Sequence, residues 1–330
     1  MASAVFSKDV LKLDCAAEVA KISGIMQEYA QKCRKRGVVV ALSGGIDSSV
    51  TAALSVVALG SERVFGLHMP ERDSSGETLG LSQSISTHFG FASIVEELTP
   101  ILESVGCYAR RDEAIRSAIP EYGPGWKSKI VLPNVIEHVG FNFYSVVAQS
   151  PNGEQIKKRL PLEAYLQIVA ATNFKQRVRK MLEYYHADRL NHLTTGTPNR
   201  LEYDQGFFVK LGDGAADIKP IAHLYKSQVY QLAEHLGVPV EVRKRPPTTD
   251  TYSLSQGQDE FYFSLPYDQM DLCLYGKNHG VATGVVAEAI GLTAEQVGRV
   301  YKDIDVKRRS TQYLHLKPKL MEDVSELTGV

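Results

Sequence analysis

Cysteine is scarce: Cys15, Cys33, Cys107 and Cys273 are the only four in 330 residues, and they stand at no paired spacing. That excludes a disulfide framework and a cysteine-ligated zinc site, and it predicts reduced thiols in a cytoplasmic protein. No apolar run reaches the roughly 18–20 residues of a membrane span. The N-terminus has no basic segment followed by an apolar stretch, so no secretory leader is expected. The formal net charge is only −1, which leaves no overall electrostatic footprint for nucleic acid. Internal repeats and low-complexity tracts are absent. So are the two common phosphate fingerprints, G-x-x-x-x-G-K-[ST] and G-x-G-x-x-G. What is present is ordinary for a globular chain, 44% hydrophobic and 23% charged residues, at a length that allows one large α/β domain or two smaller ones.

The informative stretch begins at Val38. Val38 to Leu42 is apolar and mostly β-branched, the pattern of a buried parallel strand. Ser43, Gly44, Gly45, Ile46, Asp47, Ser48 and Ser49 follow, and Val50 to Leu59 reads as about three turns of helix. Strand, small-residue loop and helix N-terminus together aim unpaired N–H groups and the positive end of a helix dipole at one spot, which suits a phosphate. An aspartate does not bind phosphate directly; Asp47 fits a ligand for Mg²⁺ held against phosphate oxygens. The plainer alternative is a tight turn with a serine cap.

Around this loop the pattern predicts an amphipathic helix over 10–34 with Gly37 as its C-cap, strands at 63–69 and 91–95, and a helix at 77–89. His68 is expected at a strand end, lining a nucleotide site. Alternating strands and helices with short links predict a doubly wound parallel sheet flanked by helices, with ligands at the carboxyl ends of the strands. Residues 101–160 break this rhythm. Strand-like segments near 130–132, 141–148 and 155–160, with a Pro151-Asn152-Gly153 turn, predict a hairpin-containing insertion in a single domain over 1–330.

A helix is expected from Leu162 to His186. Its cations at Lys175, Arg177, Arg179 and Lys180 would ordinarily form a solvated face. Arg177 and Arg179, two apart, do not share a face, so one could reach a phosphate while the other faces solvent or a partner subunit. A fourth strand at 193–197 leads to Thr197 and, five residues on, Glu202, which could converge on one ligand. Lys226 sits on a helix expected at 224–236. Residues 246–260 read as a long polar loop, the usual form of a lid.

The stretches Ser43–Ser49, Asn173–Arg179, Gly196–Glu202, Phe207–Asp217, Pro247–Asp250 and Gly257–Glu260 occur in one order, and the chain resembles the ammonia-dependent NAD synthetase family. This is a branch of the ATP pyrophosphatases with a Rossmann-like fold. The resemblance implies amidation of nicotinic acid adenine dinucleotide (deamido-NAD) with ammonia, through an acyl-adenylate, releasing AMP and pyrophosphate. It implies that Ser43 to Ser49, Thr197, Lys226 and Thr248 contact ATP, with Asp47, Lys226 and Thr248 catalytic. Asp47 and Glu202 would hold Mg²⁺. Arg177, Lys210, Asp217 and Lys307 would hold the dinucleotide, and the family works as a homodimer. With the first strand starting near residue 38, no attached glutaminase domain is expected, and ammonia would come from solution or a separate partner. Two other readings stand beside this one: an amide ligase adenylating another carboxylate, and an inactive nucleotide-binding paralogue.

Overall fold

The computed structural model describes residues 6–132, 144–247, 251–254, 256–257, 262–322, 324 and 326. The strands of its main sheet are β1 (Val38–Leu42), β2 (Val64–His68), β3 (Ala92–Val95) and β7 (Leu193–Thr194). They run parallel in the order β3-β2-β1-β7, with Val38 opposite Val64 and Leu193. The order reverses between β1 and β7, so a crevice opens at the carboxyl ends of those two strands.

Helices cover both faces of the sheet. They are α1 (Cys15–Lys32), α2 (Ile46–Leu59), α3 (Gly76–Phe89), α4 (Thr99–Ser104), α5 (Cys107–Arg116), α6 (Leu162–Leu190), α7 (Arg200–Gln205), α8 (Lys226–His235) and α9 (Val240–Lys244), with α10 (Tyr267–Asn278), α11 (Thr283–Ile290) and α12 (Ala294–Thr311) closing the chain. Side chains alternate across a strand, and β1 divides accordingly. Val38, Val40 and Leu42 join one core with α1, α2 and α8, whereas Val39 packs with Leu67, Leu102, Cys107, Val178 and Ala187 in the other. A strand buried on both sides must be apolar throughout, which is why Val38–Leu42 shows no alternation. A third core unites α10, α11 and α12 with Leu201 and Tyr225.

Within 101–160, the first part is helical, with α5 packed on α6. The hairpin expectation holds in the second part. Here β4 (Lys127–Val131), β5 (Ser145–Gln149) and β6 (Gln155–Arg159) form an antiparallel sheet with its own core of Ile119, Ile130, Val146, Ala148, Leu160 and Ile168. Two local expectations need correction. Helix α1 ends at Lys32, Arg34 takes the positive φ of 53°, and Gly37 is not a C-cap. Gly37 is needed because a Cβ there would lie 2.0 Å from the Arg63 carbonyl oxygen. The fourth strand is also shorter than 193–197. Beyond Thr194 only a bridge from Thr195 to Ile218 continues it.

Candidate active site

The crevice at the β1–β7 switch point is a cavity of about 420 Å³. Ser43, Gly45, Ile46, Asp47 and Ser48 line it from one side, and Thr195, Gly196, Thr197, Glu202 and Lys226 from another. Gly44 adopts φ +69°, and a Cβ there would meet the Thr78 carbonyl at 2.9 Å, so the turn requires glycine. Ser43, Ser48 and Ser49 have distinct jobs. The Ser49 hydroxyl donates to the Gly45 carbonyl at 2.9 Å and is fully buried, a brace for the turn. Ser48 also donates to Gly45, at 3.0 Å, and lies 3.2 Å from the Ser43 hydroxyl, which faces the cavity. The N-cap of α2 is Gly45, with no side-chain cap hydrogen bond among the described residues. The first-turn N–H groups of this helix are therefore open to an anion, as phosphate binding requires.

Opposite stands a charged cluster. Lys226 is the first residue of α8, is almost fully buried, and its Nζ bonds the Asp47 carboxylate. The other Asp47 oxygen accepts from Asn199 Nδ2 at 3.2 Å. Asn199 caps α7 and accepts from the Leu201 and Glu202 N–H groups, while the Glu202 carboxylate accepts from the Asn199 N–H at 3.0 Å. This capping box fixes Glu202 beside Asp47. Glu202 borders the cavity but is walled in by protein. Burial first, then the Asp47 charge, push its carboxyl up to about 8. Burial would lower the Lys226 ammonium, but Asp47 and Glu202 outweigh it and hold it above the ordinary lysine range. Two crowded carboxylates and one cation form a site short of positive charge. No group of three or more His, Cys, Asp or Glu able to hold a metal occurs among the described residues. Two oxygen ligands fit a cation that takes its remaining ligands from substrate phosphates and water.

Several residues here were not legible as site residues in the sequence. Asp271, on α10, is fully buried. It accepts from the Lys226 N–H at 3.1 Å and from both the N–H and hydroxyl of Ser227 at 2.6 Å. It thereby caps α8 and fixes where Lys226 starts. Asp213 lines the cavity and accepts from the Val209 N–H at 2.8 Å; burial pushes its carboxyl up. On α6, Lys180 and Glu183 pair at 2.5 Å and line the cavity with Arg179.

The lysines of α6 do not form a solvated face. Lys175 is 1% exposed and donates to Glu71 at 2.8 Å, Asp73 at 2.7 Å and the Thr251 carbonyl at 3.0 Å. Of the arginine pair, Arg179 faces the cavity, whereas Arg177 is exposed and donates to the Lys210 carbonyl. Lys210 Nζ reaches the Tyr313 carbonyl at 2.8 Å. Asp217 accepts from Thr194 N–H and hydroxyl at 2.7 and 3.0 Å, a staple between loop and strand. Lys307 is buried behind the wall, bonded to Asp303 and the Tyr262 carbonyl, and only Tyr262 reaches the cavity. His68 is buried beneath the site on Ser82, so Met69 and Pro70 line the cavity in its place. Thr248 lies outside the described residues, as does part of the 246–260 loop.

A family model described as NAD synthase matches residues 18–118 and 133–312. The NH(3)-dependent NAD(+) synthetase of Rhizobium meliloti (strain 1021) is 59% identical over 323 residues, 98% of this chain and 97% of that protein. In fold, the chain resembles an NH3-dependent NAD synthetase from Campylobacter jejuni with a TM-score of 0.62 at 21% identity, covering 94% of this chain and 100% of that one. It resembles an NMN synthetase from Francisella tularensis with a TM-score of 0.65 at 19% identity, covering 94% and 100%. With nearly the whole of the sequence matched and the site's loop, helix and charged cluster in one crevice, the chain belongs to the NAD synthase family.

Proposed function

We propose that the protein converts nicotinic acid adenine dinucleotide to NAD, using ATP and ammonia and releasing AMP and pyrophosphate. One observation carries this reading. A helix N-terminus open to phosphate, a buried lysine and a pair of crowded carboxylates face one cavity at the topological switch point. That is the equipment for a polyphosphate with its metal, and the family relation supplies the acid and the ammonia.

A carboxylate oxygen cannot be displaced by ammonia, so it must first become a leaving group. In the first step the pyridine carboxylate attacks the α-phosphorus, the bond to the β-phosphate oxygen breaks, and pyrophosphate departs. In the second, ammonia attacks the acyl carbon, the bond to AMP breaks, and the nitrogen loses a proton. The N–H groups of α2 and the Ser43 and Ser48 hydroxyls receive the phosphates and later the pyrophosphate. Lys226 offsets the charge gathered on the leaving group, and Asp271 keeps Lys226 in place. Asp47 and Glu202 fit Mg²⁺, which when bound would neutralise phosphate charge. No covalent nucleophile is required; positioning and electrostatics do the catalysis.

A homodimer fits the outer surface. The exposed face of α6 carries Leu162, Leu166, Met181 and Tyr185, an apolar stripe on a helix whose inner face lines the cavity. Arg177 lies one turn from Met181 on that outer face. With Lys210 beside it, Arg177 would reach the dinucleotide of a partner subunit rather than that of its own.

The test is NAD formation from the deamido dinucleotide with ATP, Mg²⁺ and ammonium. Stoichiometric AMP and pyrophosphate are expected. No NAD at millimolar substrate, with pyrophosphate released on another acid, would instead identify an amide ligase for a different carboxylate.

A further inference from the structure

The family match breaks at residue 118 and resumes at 133. Strand β4 (Lys127–Val131) lies wholly in that break, outside the stretches that the family model matches. One edge of β4 pairs with β5, Lys127 opposite Gln149 and Val131 opposite Ser145. The other edge holds a strap from the loop after α9. Ser128 N–H donates to the Ser253 hydroxyl at 2.9 Å, the Ser128 carbonyl accepts from Leu254 N–H at 3.1 Å, and the Ile130 carbonyl accepts from Gln256 Nε2 at 2.8 Å. Ser128 and Ile130 are alternate residues, as strand geometry demands of groups that face one edge.

The strap runs straight into the cavity wall. Thr251 and Tyr252 line the cavity. The Thr251 carbonyl is held by Lys175, and Tyr252 is buried in the core of the inserted sheet with Ile130, Val146, Ala148 and Leu160. Next to them Tyr144, just before β5, stacks on Tyr165 of α6 with ring centroids 4.0 Å apart and planes 14° from parallel; both rings line the cavity. Tyr165 and Glu183 mark the ends of the cavity-lining face of α6, 18 residues or about 27 Å apart. Tyr144, Tyr165, Val169 and Tyr252 are uncharged. They offer a polyphosphate no charge but suit a flat ring, which stacks on aromatic faces.

We propose that the inserted sheet is a specificity element. Its β4 edge seats Ser253, Leu254 and Gln256 of the strap, which sets Tyr252 beside the stacked Tyr144–Tyr165 pair, and this aromatic wall takes a heteroaromatic ring of the acid substrate. This rests on the reading that the acid is a dinucleotide, and it adds residues to that reading that a triphosphate site alone does not require.

The experiment uses the full chain and compares Tyr144→Ala, Tyr144→Phe and the strap-release pair Ser253→Ala/Gln256→Met. Steady-state NAD formation is measured, together with chymotrypsin cleavage after Tyr252 in the free protein. Tyr144→Ala should raise KM for the deamido dinucleotide about tenfold, as loss of one stacking contact would, with KM for ATP and kcat within about twofold. Tyr144→Phe, which keeps the ring, should match the wild type. The strap-release pair should expose Tyr252 to cleavage and raise the dinucleotide KM by a factor of about 3 to 5, the order of one or two lost hydrogen bonds. An unchanged dinucleotide KM in Tyr144→Ala, or an equal rise in both KM values, overturns the ring site. Tyr252 equally protected in wild type and the strap-release pair overturns the seating. Failure of the wild type to make NAD would refute the substrate reading instead, while the cleavage comparison still decides the seating.

Discussion

Lys175→Met removes a cation and keeps most of its stem, which isolates the charge. In the wild type, Lys175 Nζ sits between Glu71 and Asp73, with those carboxylates 0% and 6% exposed. Burial alone would raise the Asp73 carboxyl, and Lys175 with Arg111 holds it below the ordinary range. After the substitution Asp73 keeps Arg111 at 2.5 Å, but among the described residues the Glu71 carboxylate keeps only the Tyr108 hydroxyl and the Asp73 N–H. An uncompensated buried charge of this kind costs about 3–5 kcal/mol. At an unfolding entropy near 2.1 cal/mol/K per residue, 330 residues give about 0.7 kcal/mol/K, so the melting midpoint should fall by about 4–7 °C. Adding Glu71→Gln removes the stranded charge and should restore at least about 1 kcal/mol, a coupling visible only if the two groups share one network. Thermal and urea unfolding of the wild type, both single variants and the double variant give the cycle. A fall under about 1 °C in Lys175→Met, or a double variant no more stable than the sum of the singles, would refute the reasoning.

Asp47→Asn should abolish AMP and pyrophosphate release, and because it takes the carboxylate partner from buried Lys226 it should also lower the unfolding midpoint, with the transition still cooperative; near wild-type turnover would remove Asp47 from the metal site. Arg177→Ala should raise KM for the deamido dinucleotide by roughly one to two orders of magnitude, the loss of one charge-assisted contact, with ATP binding nearly unchanged; parallel rises for both substrates would argue against a dinucleotide role. Burial raises the Asp271 carboxyl from 3.8 to about 7. The folded state therefore holds a proton that the unfolded chain releases, and the resulting stability is complete below about pH 3.8 and lost as pH rises through 7. Urea unfolding between pH 5 and 8 should show that decline, and Asp271→Asn should flatten it; an unaltered slope would contradict the assignment.

The architecture was legible because its central strand and loop are local. Val38–Leu42 is apolar throughout because both faces are covered, and Gly44 stands where no side chain fits. The parts that were not legible are joined across the chain. Lys175 looks like a surface lysine until Glu71 and Asp73, about a hundred residues earlier, close around it. Asp271 lies 45 residues after the lysine whose helix it caps. One signal for it existed, an acid set among Met270, Leu272, Cys273 and Leu274, which all turn out to be buried. Glu202 was singled out because it stands five residues after the strand-end Thr197, near enough in sequence for both to converge on one ligand; the capping box with Asn199 that holds it emerged only in the structure.

Helix α6 shows why spacing could separate its two arginines without saying which one faces the cavity. Pattern reading assumes that a helix turns its apolar side inward. Here Thr172, Asn173, Gln176, Arg179, Lys180 and Glu183 face inward, because the space they meet is a cavity for a charged ligand and not a core. Leu162, Leu166, Met181 and Tyr185 face outward, where apolar side chains gain nothing from water. The helix thus has three faces: Ala164, Ile168 and Val178 enter the apolar cores, the polar set lines the cavity, and the third face is exposed. Arg177 belongs to the outer set, one helical turn from Met181. The residues that spacing alone could separate but not orient are thereby told apart: Arg179 lines the cavity, and Arg177 lies on the exposed face of the helix.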